Sequence, residues 1–207
     1  MKRKEVVLAT RNEGKLKEFK RILKDFDPDL LSLDAFPDMP EIVEDGSTFE
    51  ENALKKAVTI ATLTGRIAIA DDSGLVVDYL GGEPGVMSAR YAGQRASDED
   101  NCRKLLHALQ GVPDHLRTAS FRCALALATP GGEKEVVTGE CSGMITHEAK
   151  GSSGFGYDPV FYYPGYKKTF AELEPDMKDR VSHRRRAIEK LLLILPHYLI
   201  FPGAGEN

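Results

Sequence analysis

The apolar run Ile67-Ala68-Ile69-Ala70 leads straight into Asp71-Asp72-Ser73-Gly74, which puts two carboxylates where a strand would end. Open α/β sheets gather ligand sites beyond the carboxyl ends of their strands. A carboxylate there can ligate a hard cation or accept a proton from water. Adjacent strand residues point to opposite faces, so only one of the pair can serve such a site unless the chain bends. The other would cap or brace the Ser-Gly turn, and acidic pairs are equally ordinary turn formers. A second candidate is Thr10-Arg11-Asn12-Glu13-Gly14-Lys15, which follows the apolar Val6-Val7-Leu8-Ala9. A strand feeding this turn into a helix offers free N–H groups and two cations to phosphate. It lacks the Walker A spacing, and Asn12 serves as well as a plain N-cap.

Two further stretches carry chemistry. Gly151-Ser152-Ser153-Gly154-Phe155-Gly156-Tyr157-Asp158-Pro159 interleaves glycines with aromatics and a carboxylate. Phe155 or Tyr157 could stack on a base while Asp158 or the backbone reads its edge; a tight turn with its aromatics in the core fits equally well. Lys178-Asp179-Arg180-Val181-Ser182-His183-Arg184-Arg185-Arg186 concentrates positive charge at what reads as a helix start, where cations oppose the helix dipole. Arg185 and Arg186 are expected to be solvated; Lys178, His183 and Arg184 are the candidates for holding phosphate. Phosphate-binding turns, oxygen ligands for a hard metal, counter-charge and an aromatic loop together suit a nucleotide.

Positioning these groups falls to alternating strands and helices. Val6 to Thr10 reads as a buried strand and Lys15 to Leu23 as a helix with Leu16, Phe19 and Leu23 on one stripe. Residues 24 to 44 read as an irregular connection with one short strand. Ser47 with Glu50 and Thr48 with Glu51 form overlapping capping boxes before a helix whose apolar face is Phe49, Ala53, Ala57, Ile60 and Ala61, ended by Gly65. A strand over Ile67 to Ala70, an extended Leu75 to Leu80 and a helix over Ser97 to Leu109 follow. Ser120 to Thr129 and Lys134 to Ile145 form a β-hairpin through Pro130-Gly131-Gly132. The last helix runs from Val181 to Leu195 and stops before Pro196. This order predicts an α/β fold with a mixed sheet, one domain across residues 1 to 207.

Composition narrows the partners. A chain 42% apolar and 29% charged is that of a soluble globular protein. No run approaches the ~18 apolar residues of a membrane span, and Val6 to Thr10 is too short for a signal-peptide core. The expectation is a cytosolic (cytoplasmic) protein without a membrane partner. A net charge of −4 argues against a general nucleic-acid binder, though a local basic cluster can still hold a small polyanion. Cys102, Cys123 and Cys141 form no disulfide framework and read as buried small hydrophobes. The histidines are scattered, so a metal must be held by oxygens, which points to magnesium or manganese.

Six segments occur in order: Ala-Thr-Arg-Asn-Glu-Gly-Lys-Leu-Lys-Glu-Phe (9–19), Phe-Glu-Glu-Asn-Ala-Leu-Lys-Lys-Ala (49–57), Ala-Asp-Asp-Ser-Gly-Leu (70–75), Gly-Gly-Glu-Pro-Gly-Val-Met-Ser-Ala-Arg-Tyr-Ala-Gly (81–93), Phe-Gly-Tyr-Asp-Pro-Val-Phe (155–161) and Ser-His-Arg (182–184). With them the chain resembles the inosine/xanthosine triphosphate pyrophosphatase family, its bacterial dITP/XTP branch in particular, from about residue 6 to about residue 195. The resemblance implies an elongated mixed β-sheet flanked by helices, two lobes around a central cleft, and a homodimer. It implies hydrolysis of deaminated purine triphosphates (ITP, dITP, XTP) to the monophosphate and pyrophosphate, with Mg2+. By matching position, Thr10, Arg11, Asn12, Glu13, Gly14 and Lys15 look like the triphosphate-binding segment. Glu44 and Asp72 look like the metal-associated acids, Asp72 also the proton acceptor, and Ser73 a substrate contact. Lys56 matches a lysine facing the phosphates. Phe155, Gly156, Tyr157 and Asp158 look like the base loop, and Lys178, His183 and Arg184 complete the site. Arg11 replaces the glycine of many relatives, adding a cation to the first turn. The tail Phe201 to Asn207 lies outside the resemblance and is expected to be disordered.

The implied reaction is in-line attack of water on the α-phosphorus with pyrophosphate leaving. A free aspartate near pKa ~3.9, lowered further by a metal, is a poor base, so the metal is expected to acidify the water that Asp72 orients. Inosine and xanthine carry a 6-oxygen where adenine carries an amine, and a buried donor facing that position would reject adenine. The rivals are a Maf-type pyrophosphatase for pyrimidine or modified nucleotides and a non-catalytic nucleotide sensor. The Phe155–Asp158 loop and Ser182-His183-Arg184 oppose the first, and intact Glu44 and Asp72 the second.

Overall fold

Val6-Val7-Leu8 shows no polar alternation, which is the pattern of a parallel strand covered on both faces. In the computed structural model, which describes residues 5–23 and 29–199, these residues are fully or almost fully buried. The chain order is β1 (Glu5–Leu8), α1 (Glu13–Ile22), β2 (Asp29–Ser32), α2 (Phe49–Thr64), β3 (Ile67–Val77), α3 (Asp98–Ala108), β4 (Thr118–Ala128), β5 (Lys134–Ile145), β6 (Phe161–Tyr163), β7 (Lys168–Thr169), α4 (Pro175–Val181) and α5 (His183–Leu199). The strands form one mixed sheet in the order β2-β1-β3-β4-β5-β6-β7. β1 runs parallel to β2 and β3, while β6 is antiparallel to β5 and β7. The expected α/β class with a mixed sheet is what forms; the expected disorder of Phe201 to Asn207 falls outside the described residues. No helix among the described residues is long and apolar enough to cross a membrane.

The chain groups into two compact units. The first comprises the described residues of Met1–Asp72, Ala124–Thr138 and Arg186–Asn207. Its α2 begins at Thr48, whose hydroxyl accepts the Glu51 N–H, and ends at Gly65 in the left-handed conformation (φ 63°) that glycine adopts without a Cβ penalty. The predicted pairings of Ser47 with Glu50 and Thr48 with Glu51 are replaced by a mixed one, in which the Glu51 carboxylate takes the N–H and hydroxyl of Ser47 at 2.7 and 2.8 Å. The apolar stripe Phe49, Ala53, Ala57, Ile60 and Ala61 is buried as expected, with Ala187, Ile188, Leu191 and Leu195 of α5. The turn after β4 closes with Thr129 N–H on Glu133 O at 2.9 Å, as the Pro-Gly-Gly hairpin requires.

The second unit comprises Ser73–Cys123 and Gly139–Arg185. Its core joins Leu75, Leu105, Leu109, Phe121, Phe161 and Phe170, with the Phe121 and Phe161 rings 4.6 Å apart. All three cysteines are buried and free. The Arg117 guanidinium, 2% exposed, donates to the carbonyls of Leu109, Ile145 and Thr146 at 2.6–2.8 Å, so its polar surface is satisfied without a carboxylate.

Two sequence expectations are corrected. No turn interrupts Asp71-Asp72-Ser73-Gly74: β3 continues unbroken to Val77, with every residue but one buried. Turn propensity is a weak local preference, and burial along a whole strand outweighs it. Asp71 therefore braces no Ser-Gly turn. The charge run does not simply open the last helix: it crosses the end of α4 at Val181, an extended Ser182 (ψ 151°) whose hydroxyl accepts the Arg185 N–H at 3.1 Å, and the start of α5. Lys178 and Arg180 thus lie in the last turn of α4, where cations complement the dipole and do not oppose it. α5 also runs through Pro196 to Leu199. Pro costs a helix its N–H and crowds the preceding turn, but so near the end it forfeits little.

Candidate active site

Asp71 and Asp72 lie mid-strand, so their side chains leave opposite faces of β3 and meet different partners. Asp71, 1% exposed, takes the Lys15 ammonium from the first turn of α1 at 2.8 Å. Asp72 faces α2: one oxygen accepts from Asn52 Nδ2 at 3.0 Å, the other lies 3.9 Å from Lys56 Nζ. Lys56 donates to Glu44 Oε1 at 3.0 Å. Asn52 and Lys56 are four residues apart and share one helix face, which is how α2 presents both to β3. Burial lifts the Asp72 carboxyl to about 6, Glu44 adding to the lift while Lys56, Lys15 and Asn52 oppose it. Burial pulls Lys56 down, but Asp71, Asp72 and Glu44 outweigh it and leave the ammonium above its ordinary value. Burial thus holds Asp72 above the ordinary aspartate range in the protein without metal, against the lowering a bound cation would bring.

The first turn is built as a helix N-terminus. Asn12 caps α1 by accepting the Lys15 N–H at 3.0 Å, and Thr10 Oγ1 accepts the Asn12 N–H at 3.2 Å. The N–H groups of Glu13 and Gly14, the first two of α1, face no protein acceptor among the described residues. Arg11 is exposed and donates to Met39 O at 2.9 Å, while the Glu13 side chain points outward, 86% exposed.

In the second unit a different cluster forms. Asp158, 2% exposed, accepts from Lys178 Nζ at 2.6 Å and from Phe155 N–H at 2.9 Å, drawing the loop into a closed ring. The half-buried Phe155 ring lies 4.6 Å from Lys178 Nζ. Gly154 has to be glycine here, because a Cβ would meet Asp158 Oδ2 at 2.0 Å. The buried Tyr157 commits its hydroxyl to Ser88 O at 2.9 Å, so of the two aromatics only Phe155 has a ring free to stack. Arg184, 1% exposed, donates to Ser73 Oγ at 3.0 Å. Burial pulls its guanidinium down to about 9, still a cation at neutral pH. His183 stacks on Phe121 at 4.9 Å. Arg186 is exposed as expected and Arg185 half-buried. Lys178, read from the charge run as a phosphate holder, pairs here with Asp158.

Sequence reasoning passed over Asn52, which joins the cluster twice: its amide nitrogen on Asp72 and its oxygen on Gly46 N–H at 2.8 Å. The signal was there, a polar pair Asn52 and Lys56 at helical spacing beside an apolar stripe. The donor set also suits a hard cation. Glu44 and Asp72 both face the Lys56 ammonium, at 3.0 and 3.9 Å, so two carboxylates converge on one cationic point. No group of three or more His, Cys, Asp or Glu side chains set to ligate a metal occurs among the described residues. Magnesium does not require one, since it binds through one or two carboxylates with water and substrate phosphates.

Comparison with known proteins follows the same line. The Ham1 family model matches residues 6–194. The dITP/XTP pyrophosphatase of Geobacter sulfurreducens is 55% identical over 186 residues, 90% of this chain and 94% of its own. That of Desulforamulus reducens is 51% identical over 190 residues, 92% of this chain and 94% of its own. A solved HAM1 protein from Coxiella burnetii aligns with a TM-score of 0.85 at 42% identity, covering 93% of this chain and 98% of its own.

Proposed function

The chain belongs to the Ham1 family, and from that premise we propose that it hydrolyses ITP, dITP and XTP to the monophosphate and pyrophosphate, clearing deaminated purines from the nucleotide pool. The observation that carries this reading is the buried group of Asp72, Asn52, Lys56 and Glu44. Glu44 and Asp72 would hold Mg2+, which supplies charge neutralisation for the phosphates and acidifies bound water. Asp72, oriented by Asn52, positions the attacking water and takes its proton. Lys56 and Lys15, with the open N–H groups of Glu13 and Gly14, offset phosphate charge, most strongly as it builds on the leaving pyrophosphate.

Phe155 stacks on the purine, and the ring closed by Asp158 and Lys178 fixes its angle. Arg184 holds Ser73 toward the substrate. A homodimer belongs to the same reading and rests on the resemblance alone. The test supplies the purified protein with magnesium and, in turn, ITP, XTP, dITP, ATP, GTP and UTP. Pyrophosphate released from the first three is the expected result. Release of orthophosphate, or equal turnover of ATP or UTP, overturns it.

A further inference from the structure

The loop read as the base contact is gripped from a helix to which neither its sequence motif nor its resemblance gives a task. Gly156 has a left-handed backbone (φ 62°). Its N–H donates to Asp98 Oδ2 at 2.6 Å, and its carbonyl accepts from Cys102 Sγ at 3.4 Å. Asp98 and Cys102 are four residues apart on α3 and share a face, so one helix surface fixes both polar groups of one loop residue. Burial, with Asp98 and Asp158 nearby, pushes the Cys102 thiol up to about 12, which keeps it a donor. Phe155 is bonded to this peptide, and its ring direction follows from how the peptide is turned. Asp98 is the first residue of α3, where a carboxylate ordinarily complements the helix dipole. Its short charge-assisted bond 58 residues along the chain is a second task.

We propose that Asp98, with Cys102 behind it, is a positioning residue that orients the Phe155-Gly156 peptide and so sets the affinity for the purine. This rests on the reading of Phe155–Asp158 as the base loop. The test compares Asp98→Ala, Asp98→Asn and Glu99→Ala by pyrophosphate release from ITP and by hydrogen exchange of the Gly156 amide. Losing a hydrogen bond to a charged group predicts a KM for ITP raised about tenfold in Asp98→Ala, with kcat within about twofold. Gly156 exchange accelerates in the same variant. Asp98→Asn keeps an acceptor oxygen and recovers most of both. Glu99→Ala removes the same first-turn charge, touches no loop residue and stays at wild-type values.

An unchanged KM in Asp98→Ala, or the same rise in Glu99→Ala, overturns the proposal. Wild-type protein that releases no pyrophosphate from ITP overturns instead the functional reading beneath it, and the exchange data tell the two failures apart.

Discussion

The carboxylate cluster around Asp72 and the loop cluster around Asp158 each set a buried aspartate near a buried lysine, yet they are built on opposite principles. Asp158 is held closely on one oxygen, by the Lys178 ammonium at 2.6 Å and the Phe155 N–H at 2.9 Å. At Asp72 an amide donates to one oxygen at 3.0 Å, and the Lys56 ammonium stands 3.9 Å from the other. Lys56 sits 3.9 Å from Asp72 because it donates at 3.0 Å to Glu44. A charge-assisted pair closed that tightly holds a shape. Burial and the neighbouring Glu44 both disfavour a charge on Asp72, and a bound cation would offset that cost.

The largest test of this contrast sets the two neighbours on β3 against each other. Asp72→Asn should lower turnover by about 10²–10⁴-fold, the usual worth of a positioned proton acceptor. Asp71→Asn should leave turnover within about tenfold while costing about 1–3 kcal/mol of stability, because Lys15 loses its buried partner but can still reach water. Pyrophosphate release and urea unfolding measure the two sides. Equal loss of turnover in both folded variants would break the division of labour.

Next come the two lysines. Lys178→Met leaves Asp158 buried without its partner, which costs about 3–5 kcal/mol, and the double variant Lys178→Met/Asp158→Asn should regain part of it. Lys56→Met should cost less stability, since Glu44 is 35% exposed and can rehydrate, but more turnover. Thermal melts and kinetics of the same four proteins decide it. If Lys56→Met proves the less stable single variant, the loop cluster is not the structural one.

What the sequence made legible divides along similar physical lines. The Thr10–Lys15 turn and the start of α2 were readable because their partners lie within a few residues: Asn12 caps Lys15, and Thr48 caps Glu51. The parallel strand β1 was readable from its unbroken apolar run. The unbroken β3 was not, because local turn preference in Asp-Ser-Gly said otherwise and only pairing across the sheet overrides it. The Asp158 partner of Lys178 is hidden for a related reason. A charge run shows where cations are, while the carboxylate that claims one lies 20 residues away in the chain. Asn52 escaped because a helical asparagine has no distinctive type; its meaning lies in Asp72 and Gly46, on either side of it. Resemblance supplied Glu44 and Lys56, and the structure then placed both on the Asp72 group.

The smallest effect bears most directly on the cost of a charge at Asp72. Asp72 titrates near 3.8 in an unfolded chain and at about 6 in the metal-free fold, chiefly through burial. Between those values the native state keeps a proton that the unfolded chain releases, so stability falls as pH rises through the window. The contribution is intact below about 4 and lost above about 6. Asparagine in its place has no such loss. In chelator, the stability of wild type relative to Asp72→Asn should therefore drop by about 1–2 kcal/mol from pH 5 to pH 7.5. Magnesium at pH 7.5 should restore wild type and leave Asp72→Asn nearly unmoved, because a bound cation offsets a charge only the first possesses. Urea unfolding at the two pH values reads both effects. A difference independent of pH would mean that Lys56 and Lys15 already neutralise Asp72, and the two clusters would then be alike.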